Sequence, residues 1–326
     1  MSTVETMKGP IDSSQLGRVL VHEHVFLMNM EYVENYRLDF DEDVEVANAV
    51  QQLNQLKAAG IDTIIDLTVL GLGRHVKRLA KVASQIDLNI IVATGVYTFN
   101  EVPGPFEYVG PGLMIDVPEP MVELFVNDIT KGIAGTSIKA GELKCAIDAP
   151  GLTKGVERVM RAIAQAQLLT GVPISVHTAA TKEMGLVAQK LFAEEGVDLR
   201  DLIIGHSGDS DDLDYLMKLA DQGSILGMDR FGIDAVLPFE KRVGTIVELV
   251  KRGYTDRITL SHDCMCWIDM FPKGFNPMPR HRYLHISEEV IPALLEQGVT
   301  QAQIDIMFID NPRRHYEDAA ARFAAR

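Results

Sequence analysis

The stretch Gly17-Arg18-Val19-Leu20-Val21-His22-Glu23-His24 decides the fold. Residues 18–21 read as a short strand running straight into two histidines separated by one residue. Positions i and i+2 of a strand project to the same side. A strand that continues through the motif points His22 and His24 one way, able to share a metal ion, and Glu23 another. An open doubly wound sheet would carry a Gly-rich turn after its first strand. His22-Glu23-His24 stands there instead.

Downstream, strand and helix alternate. Apolar spacing over 44–59, stopped by Gly60, predicts a helix. Residues 63–68 are nearly continuous in apolar character, as buried parallel strands are. A helix over 75–86 and a strand over 89–94 follow. Residues 99–120 are rich in Pro and Gly and too long for a simple connection, which suits a lid or a pocket wall. Beyond them come helix 120–132, strand 137–145, helix 153–170, strand 173–177, helix 182–195, strand 202–206, helix 211–222, strand 224–228, helix 239–252 and strand 257–261. An irregular stretch, 264–281, precedes two helical segments, 286–297 and 301–308. Residues 1–16 are polar and turn-rich and are expected to lie across one end of the fold. Eight strands, each followed by a helix, imply parallel pairing. The predicted fold is α/β, a single-domain (β/α)8 TIM barrel over residues 1–326.

The 326 residues are 47% hydrophobic and 24% charged, ordinary for a protein with a large core. A formal net charge of -15 argues against nucleic acid and anionic membrane as partners, since both want basic patches. No apolar run reaches the ~18 residues of a membrane span. Residues 1–6 lack the basic and apolar regions of a secretory signal. A cytoplasmic protein is expected. The three cysteines, Cys145, Cys264 and Cys266, make no disulfide framework, and Cys264-Met265-Cys266 is too tight for a zinc ribbon. Reduced thiols near a core are expected.

In such barrels the chemistry gathers at the C-terminal ends of the strands. The first strand ends in His22 and His24, the third in Tyr97, the fourth at Lys144, the fifth in His177 and the sixth in His206. Asp229-Arg230 follows the seventh and His262-Asp263 the eighth. One histidine so placed would read as structural. Five, with an aspartate and a lysine, point to a metal centre. Imidazole and carboxylate suit zinc, iron, cobalt or manganese. Four histidines, one aspartate and a bridging group would fill two adjacent sites, where two ions can hold a hydroxide and polarise a substrate oxygen. An ammonium cannot ligate a cation. A desolvated, neutral Lys144 amine could react with CO2 to give an anionic carbamate with one oxygen per ion. The alternative is a salt-bridged lysine at the barrel mouth. Arg230 is open to two roles, substrate contact or an ion pair with a nearby carboxylate. Alternation puts Glu142 on the inward side with Lys144. A buried carboxylate needs a partner, so a paired Glu142 at the barrel floor is expected.

These residues resemble the phosphotriesterase-like lactonases of the amidohydrolase superfamily, over nearly the whole chain. The resemblance is carried by residues 17–24, by Asp66-Leu67-Thr68-Val69-Leu70-Gly71-Leu72-Gly73-Arg74, Ala93-Thr94-Gly95-Val96-Tyr97 and Leu143-Lys144-Cys145-Ala146. It continues in Ile203-Ile204-Gly205-His206-Ser207-Gly208-Asp209, Gly227-Met228-Asp229-Arg230-Phe231-Gly232 and Leu260-Ser261-His262-Asp263. The chain looks closest to the branch that opens N-acyl-homoserine lactones, the signals of bacterial quorum sensing. The resemblance implies that His22, His24 and Asp263 hold the more buried of two divalent ions. His177 and His206 would hold the more exposed one, and a carboxylated Lys144 would bridge both. Asp263 would also carry the proton. Tyr97 and Arg230 would lie beside the ions and the lactone ring, with Trp267, Met270 and Phe271 shaping the pocket. Glu23 is expected to face away. The implied activity is lactone hydrolysis (quorum quenching) with weak phosphotriesterase activity, in a homodimer. Two rivals are a primary organophosphate triesterase and a barrel that has lost activity and only binds. The second should have lost a ligand, and all six are present.

Overall fold

Eight strands form one parallel sheet: β1 (Val19–Glu23), β2 (Thr63–Asp66), β3 (Asn89–Gly95), β4 (Glu142–Ile147), β5 (Ile174–Thr178), β6 (Leu202–Gly205), β7 (Ile225–Met228) and β8 (Ile258–Leu260). They pair side by side in that order. The computed structural model describes residues 2–37, 39–272 and 274–326. β8 returns beside β1 and nearly closes the ring. Across this seam the Asp263 amide donates to the His22 carbonyl at 3.0 Å, and the His24 amide to the Cys264 carbonyl at 2.8 Å. The architecture is the (β/α)8 barrel that the alternation predicts.

Alternation divides the strand residues between two cores. Leu20, Ile64, Leu143, Val176 and Ile204 face outward to the helices, while Val19, Val21, Ile65, Ile91, Ala93 and Ile203 pack inside. The helices are placed by local signals. In Lys154–Thr170, the Thr153 hydroxyl accepts from the Val156 amide at the start, and Gly171 ends the helix at φ 73°. Glycine takes that left-handed conformation without strain. No described helix is long and apolar enough to cross a membrane. Burial pushes the Cys145 and Cys266 thiols up to about 12, so both stay protonated.

One irregularity matters for the site. The register of β1 against β2 shifts between Leu20 and Glu23. Leu20 faces outward, and strict alternation from it would send His22 and His24 outward as well. The shift turns both histidines into the barrel and Glu23 away from it, as bulges beside active sites do.

The N-terminal end is plugged as expected. A hairpin, Thr3–Thr6 with Gly9–Asp12, crosses it, and Val4 and Leu16 join the inner core with Tyr316. Glu142 is fully buried there and is paired. It accepts from the Ser175 and Tyr316 hydroxyls, each at 2.9 Å, with His315 Nε2 at 3.2 Å. Tyr316 and His315 belong to the helix Asn311–Ala324, beyond the last segment predicted from sequence. A π turn over Ile306–Asp310 interrupts the periodicity before it. A further helix and the start of one strand also depart from the patterning. A short helix, Met30–Tyr36, capped by Asn29, occupies a stretch without helical patterning. β4 begins at Glu142 rather than 137, because the Ala140 amide is drawn off to the Asp128 carbonyl at 3.0 Å. The strand also runs on to Ile147, past the predicted end at 145, so Lys144 lies within it and not at the end.

On the outer layer, Glu42 accepts from Lys81 Nζ at 2.7 Å and from Arg78 Nε at 2.8 Å. Those hydrogen bonds hold its carboxyl at about 2. A carboxyl lowered on folding contributes stability above its unfolded value and loses it as pH falls toward the folded one. Glu42 is a third exposed, so water screens the pair. Glu42→Gln is expected to unfold in urea about 1 kcal/mol more easily near neutral pH. The difference should close as pH falls from 4.5 to about 2. A constant difference would locate the effect in packing instead.

Candidate metal centre

Five strands bring the predicted ligands to one place. His22 and His24 come from the end of β1, Lys144 from β4 and His177 from β5, while His206 follows β6 and Asp263 follows β8. All but Asp263 are buried. Asp263 Oδ1 lies 3.1 Å from His24 Nε2 and 3.4 Å from His22 Nε2. His22 Nε2 is 3.1 Å from Lys144 Nζ, and His206 Nε2 is 2.8 Å from His177 Nδ1.

The second nitrogen of each ring is committed to an oxygen. His22 Nδ1 and His206 Nδ1 take the two oxygens of Asp229, at 2.8 and 2.9 Å. His177 Nε2 takes Asp148 at 2.6 Å, and His24 Nδ1 takes Thr68 Oγ1 at 2.8 Å. For His22, His177 and His206, whose outer partners are carboxylates, this network puts the ring proton outward and leaves one lone pair on each ring facing inward, while the Thr68 hydroxyl can serve His24 as donor or acceptor. Two such lone pairs, on His177 and His206, face each other at 2.8 Å, an arrangement that calls for a cation. The donor set fits divalent metal ions. Asp229 sits behind the rings, where it orients them.

The electrostatics agree. Burial lowers His22, drives His206 well below the ordinary histidine value and brings His177 to about 4, so the rings are neutral, as ligands must be. Burial also lowers the Lys144 amine to about 8. Burial alone would raise Asp263. The nearby His22 ring, the His24 hydrogen bond, the nearby His206 ring and the Arg230 guanidinium outweigh it and hold the carboxyl well below the usual range. Arg230 spans Asp263 and Asp209, with 3.0 Å to each. Of its two open roles, the ion pair is present. Arg242 holds the other oxygen of Asp209 at 2.7 Å.

His206 and Asp263 adopt φ of 62° and 58°. That left-handed region costs a non-glycine residue roughly 1–3 kcal/mol and persists only where neighbours enforce it. Over the cluster opens a cavity of about 190 Å³, walled by Leu27, Leu72, Ile233, Met270 and Phe271. Tyr97 stands in it, edge-on to His177 at 5.2 Å. Burial, then the charge of Asp263, pushes its phenol above the ordinary value, so it remains a donor.

Residues 2–316 match the phosphotriesterase family. The chain belongs to that family. It is 54% identical over 320 residues to the phosphotriesterase homology protein of Mycobacterium tuberculosis, spanning 97% of this chain and 98% of that one. The aryldialkylphosphatase of Saccharolobus solfataricus is 38% identical over 313 residues, 95% of this chain and 98% of its own. The solved structure of the phosphotriesterase from Mycobacterium tuberculosis superposes with a TM-score of 0.95 at 54% identity, covering 97% of this chain and 98% of that one. Phosphotriesterase-family membership, a hydrolase relative and the His/Asp cluster make this chain a metal-dependent hydrolase.

Within this family member one predicted pocket residue lies elsewhere. Trp267 and Ile268 pair with Phe26 and Leu27. Alternation gives Ile268 to the cavity over the cluster and turns Trp267 away, against Phe40 at 4.7 Å and Arg37 at 5.4 Å. Trp267 lines a neighbouring cavity of about 470 Å³. The orienting groups Asp229, Asp148, Thr68 and Asp209 escaped sequence reasoning. For Asp229 a signal existed, since it follows β7 directly, as His206 follows β6.

Proposed function

We propose that this phosphotriesterase-family hydrolase opens lactones, N-acyl-homoserine lactones foremost, and hydrolyses phosphotriesters more slowly. The observation that carries this reading is the cavity. Its walls are apolar and its floor polar, the pairing that an acyl chain joined to a lactone ring requires. His22, His24 and Asp263 would hold one divalent ion, and His177 and His206 the other. Lys144 would serve both as a carbamate, since it is buried and has no carboxylate within 4.0 Å among the described residues. Zinc, cobalt, iron and manganese all suit these donors. When bound, such ions supply a hydroxide near neutral pH and polarise the scissile oxygen.

The chain's own residues do the rest. The apolar walls exclude water from around the acyl chain. Tyr97 donates to the substrate oxygen as negative charge develops on it. Asp263, ionised, accepts the proton of the nucleophile and returns it to the leaving alkoxide. Arg230, anchored by Asp209, keeps the Asp263 carboxylate turned toward that proton. A homodimer belongs to the same proposal, and sedimentation equilibrium tests it.

A second reading, a primary phosphotriesterase, is favoured by the name of the Saccharolobus solfataricus relative. The two separate in one assay of metal-loaded protein, kcat/KM on N-acyl-homoserine lactones of increasing chain length against paraoxon. The lactone reading expects the best lactone to lead by about 100-fold or more. Paraoxon leading by that margin would establish the second reading instead.

A further inference from the structure

Glu23 stands between the two histidines of β1 and points away from them. It is fully buried, and four donors converge on its carboxylate. Oε1 accepts from the Ser261 hydroxyl at 2.9 Å, from the His262 amide at 2.9 Å and from His262 Nδ1 at 2.8 Å. Oε2 accepts from the Cys264 amide at 2.8 Å. The Ile286 amide donates to His262 Nε2 at 3.1 Å, so Nδ1 carries the ring proton and the ring is neutral. The charge of Glu23 is met by hydrogen bonds rather than by a cation.

All four donors belong to the residues that flank Asp263. Ser261 and His262 precede it, and Cys264 follows it. Asp263 holds a left-handed φ of 58° on the seam where β8 and β1 share no strand ladder. Regular sheet pairing is missing at the place where a strained turn most needs support. The other non-glycine residue with a left-handed φ just after a barrel strand, His206, is held by a carboxylate too. Asp229 accepts from both the amide and the ring of His206, at 2.7 and 2.9 Å.

We propose that Glu23 is a positioning residue for the metal centre: by gripping both flanks of Asp263, it fixes the left-handed turn that aims the Asp263 carboxylate at His22 and His24. The proposal rests on Asp263 being a metal ligand. Charge matters as well as shape. An amide in place of the carboxylate would set an N–H against one of the four donors and leave that donor unsatisfied.

The test compares Glu23→Gln with the wild-type chain by zinc competition against a chromophoric chelator and by melting with and without zinc. Glu23→Gln is expected to bind zinc about 10-fold more weakly or worse. The rise in Tm that zinc brings should shrink to match. The control is Asp201→Asn, which disturbs a buried carboxylate held by Gln167 at 2.9 Å and Arg322 at 2.8 Å, just before β6 at the far end of the barrel. It should lower Tm equally with and without zinc and leave zinc affinity alone. Zinc affinity within about 2-fold of wild type in Glu23→Gln would overturn the proposal. Should that variant fail to fold, Glu23→Asp decides. It keeps the charge but draws the carboxylate back from its four donors and is expected to weaken zinc about 3-fold, whereas unchanged affinity counts against the role. Failure of the underlying assignment looks different, because Asp263→Asn would then bind zinc like wild type.

Discussion

Asp263→Asn is expected to lower kcat/KM on the best substrate by about 1000-fold, whichever of lactone and phosphotriester that proves to be. The substitution isolates the charge. Asparagine tolerates the left-handed backbone of this turn better than most residues, so the φ of 58° can persist. The side chain keeps its size, and the Asp263 amide can still donate to the His22 carbonyl. The anion beside His24, His22 and Arg230 is lost, and with it the proposed base. Arg230 keeps its second carboxylate, Asp209, so no buried guanidinium is stranded. Steady-state kinetics on metal-loaded protein, with circular dichroism to show the fold intact, measure the effect. A variant retaining more than about a tenth of wild-type kcat/KM would remove Asp263 from both proton transfer and metal binding.

The barrel and the cluster were legible because both depend on short-range regularities. Buried parallel strands are apolar runs, and a ligand at a strand end announces itself by sequence position. Even so, His22 faces inward because of a register shift that no pattern of residue types displays. What could not be read depends on which strands become neighbours. Asp229 matters because β7 lies near enough to β1 and β6 for one carboxylate to reach two rings. The partners His315 and Tyr316 of Glu142 lie 173 and 174 residues along the chain. Trp267 departs from the expected pocket for a related reason. In an irregular loop the facing of a side chain follows from a local pairing, here with Phe26 and Leu27, and not from its apolar character.

Asp229→Ala is expected to damage both the fold and the metal centre. Three buried donors rely on this carboxylate: the His206 amide at 2.7 Å, His22 Nδ1 at 2.8 Å and His206 Nδ1 at 2.9 Å. Each left without an acceptor costs about 1–3 kcal/mol. The metal-free protein should therefore lose roughly 3 kcal/mol or more in urea unfolding, less whatever a water entering the void restores. The two rings also lose the contact that fixes their tautomer and their direction. The lone pairs on His22 Nε2 and His206 Nε2 would no longer be held on the inward side, and zinc affinity should fall about 10- to 100-fold. Asp229→Asn should fall between Ala and wild type, because one amide oxygen can serve His206 or His22 but its nitrogen repels the remaining donor. Chelator competition across the three proteins gives the order directly. Wild-type zinc affinity in Asp229→Ala would mean that packing alone aims the two rings. In that event the β7 carboxylate contributes to the stability of the barrel and nothing to the site.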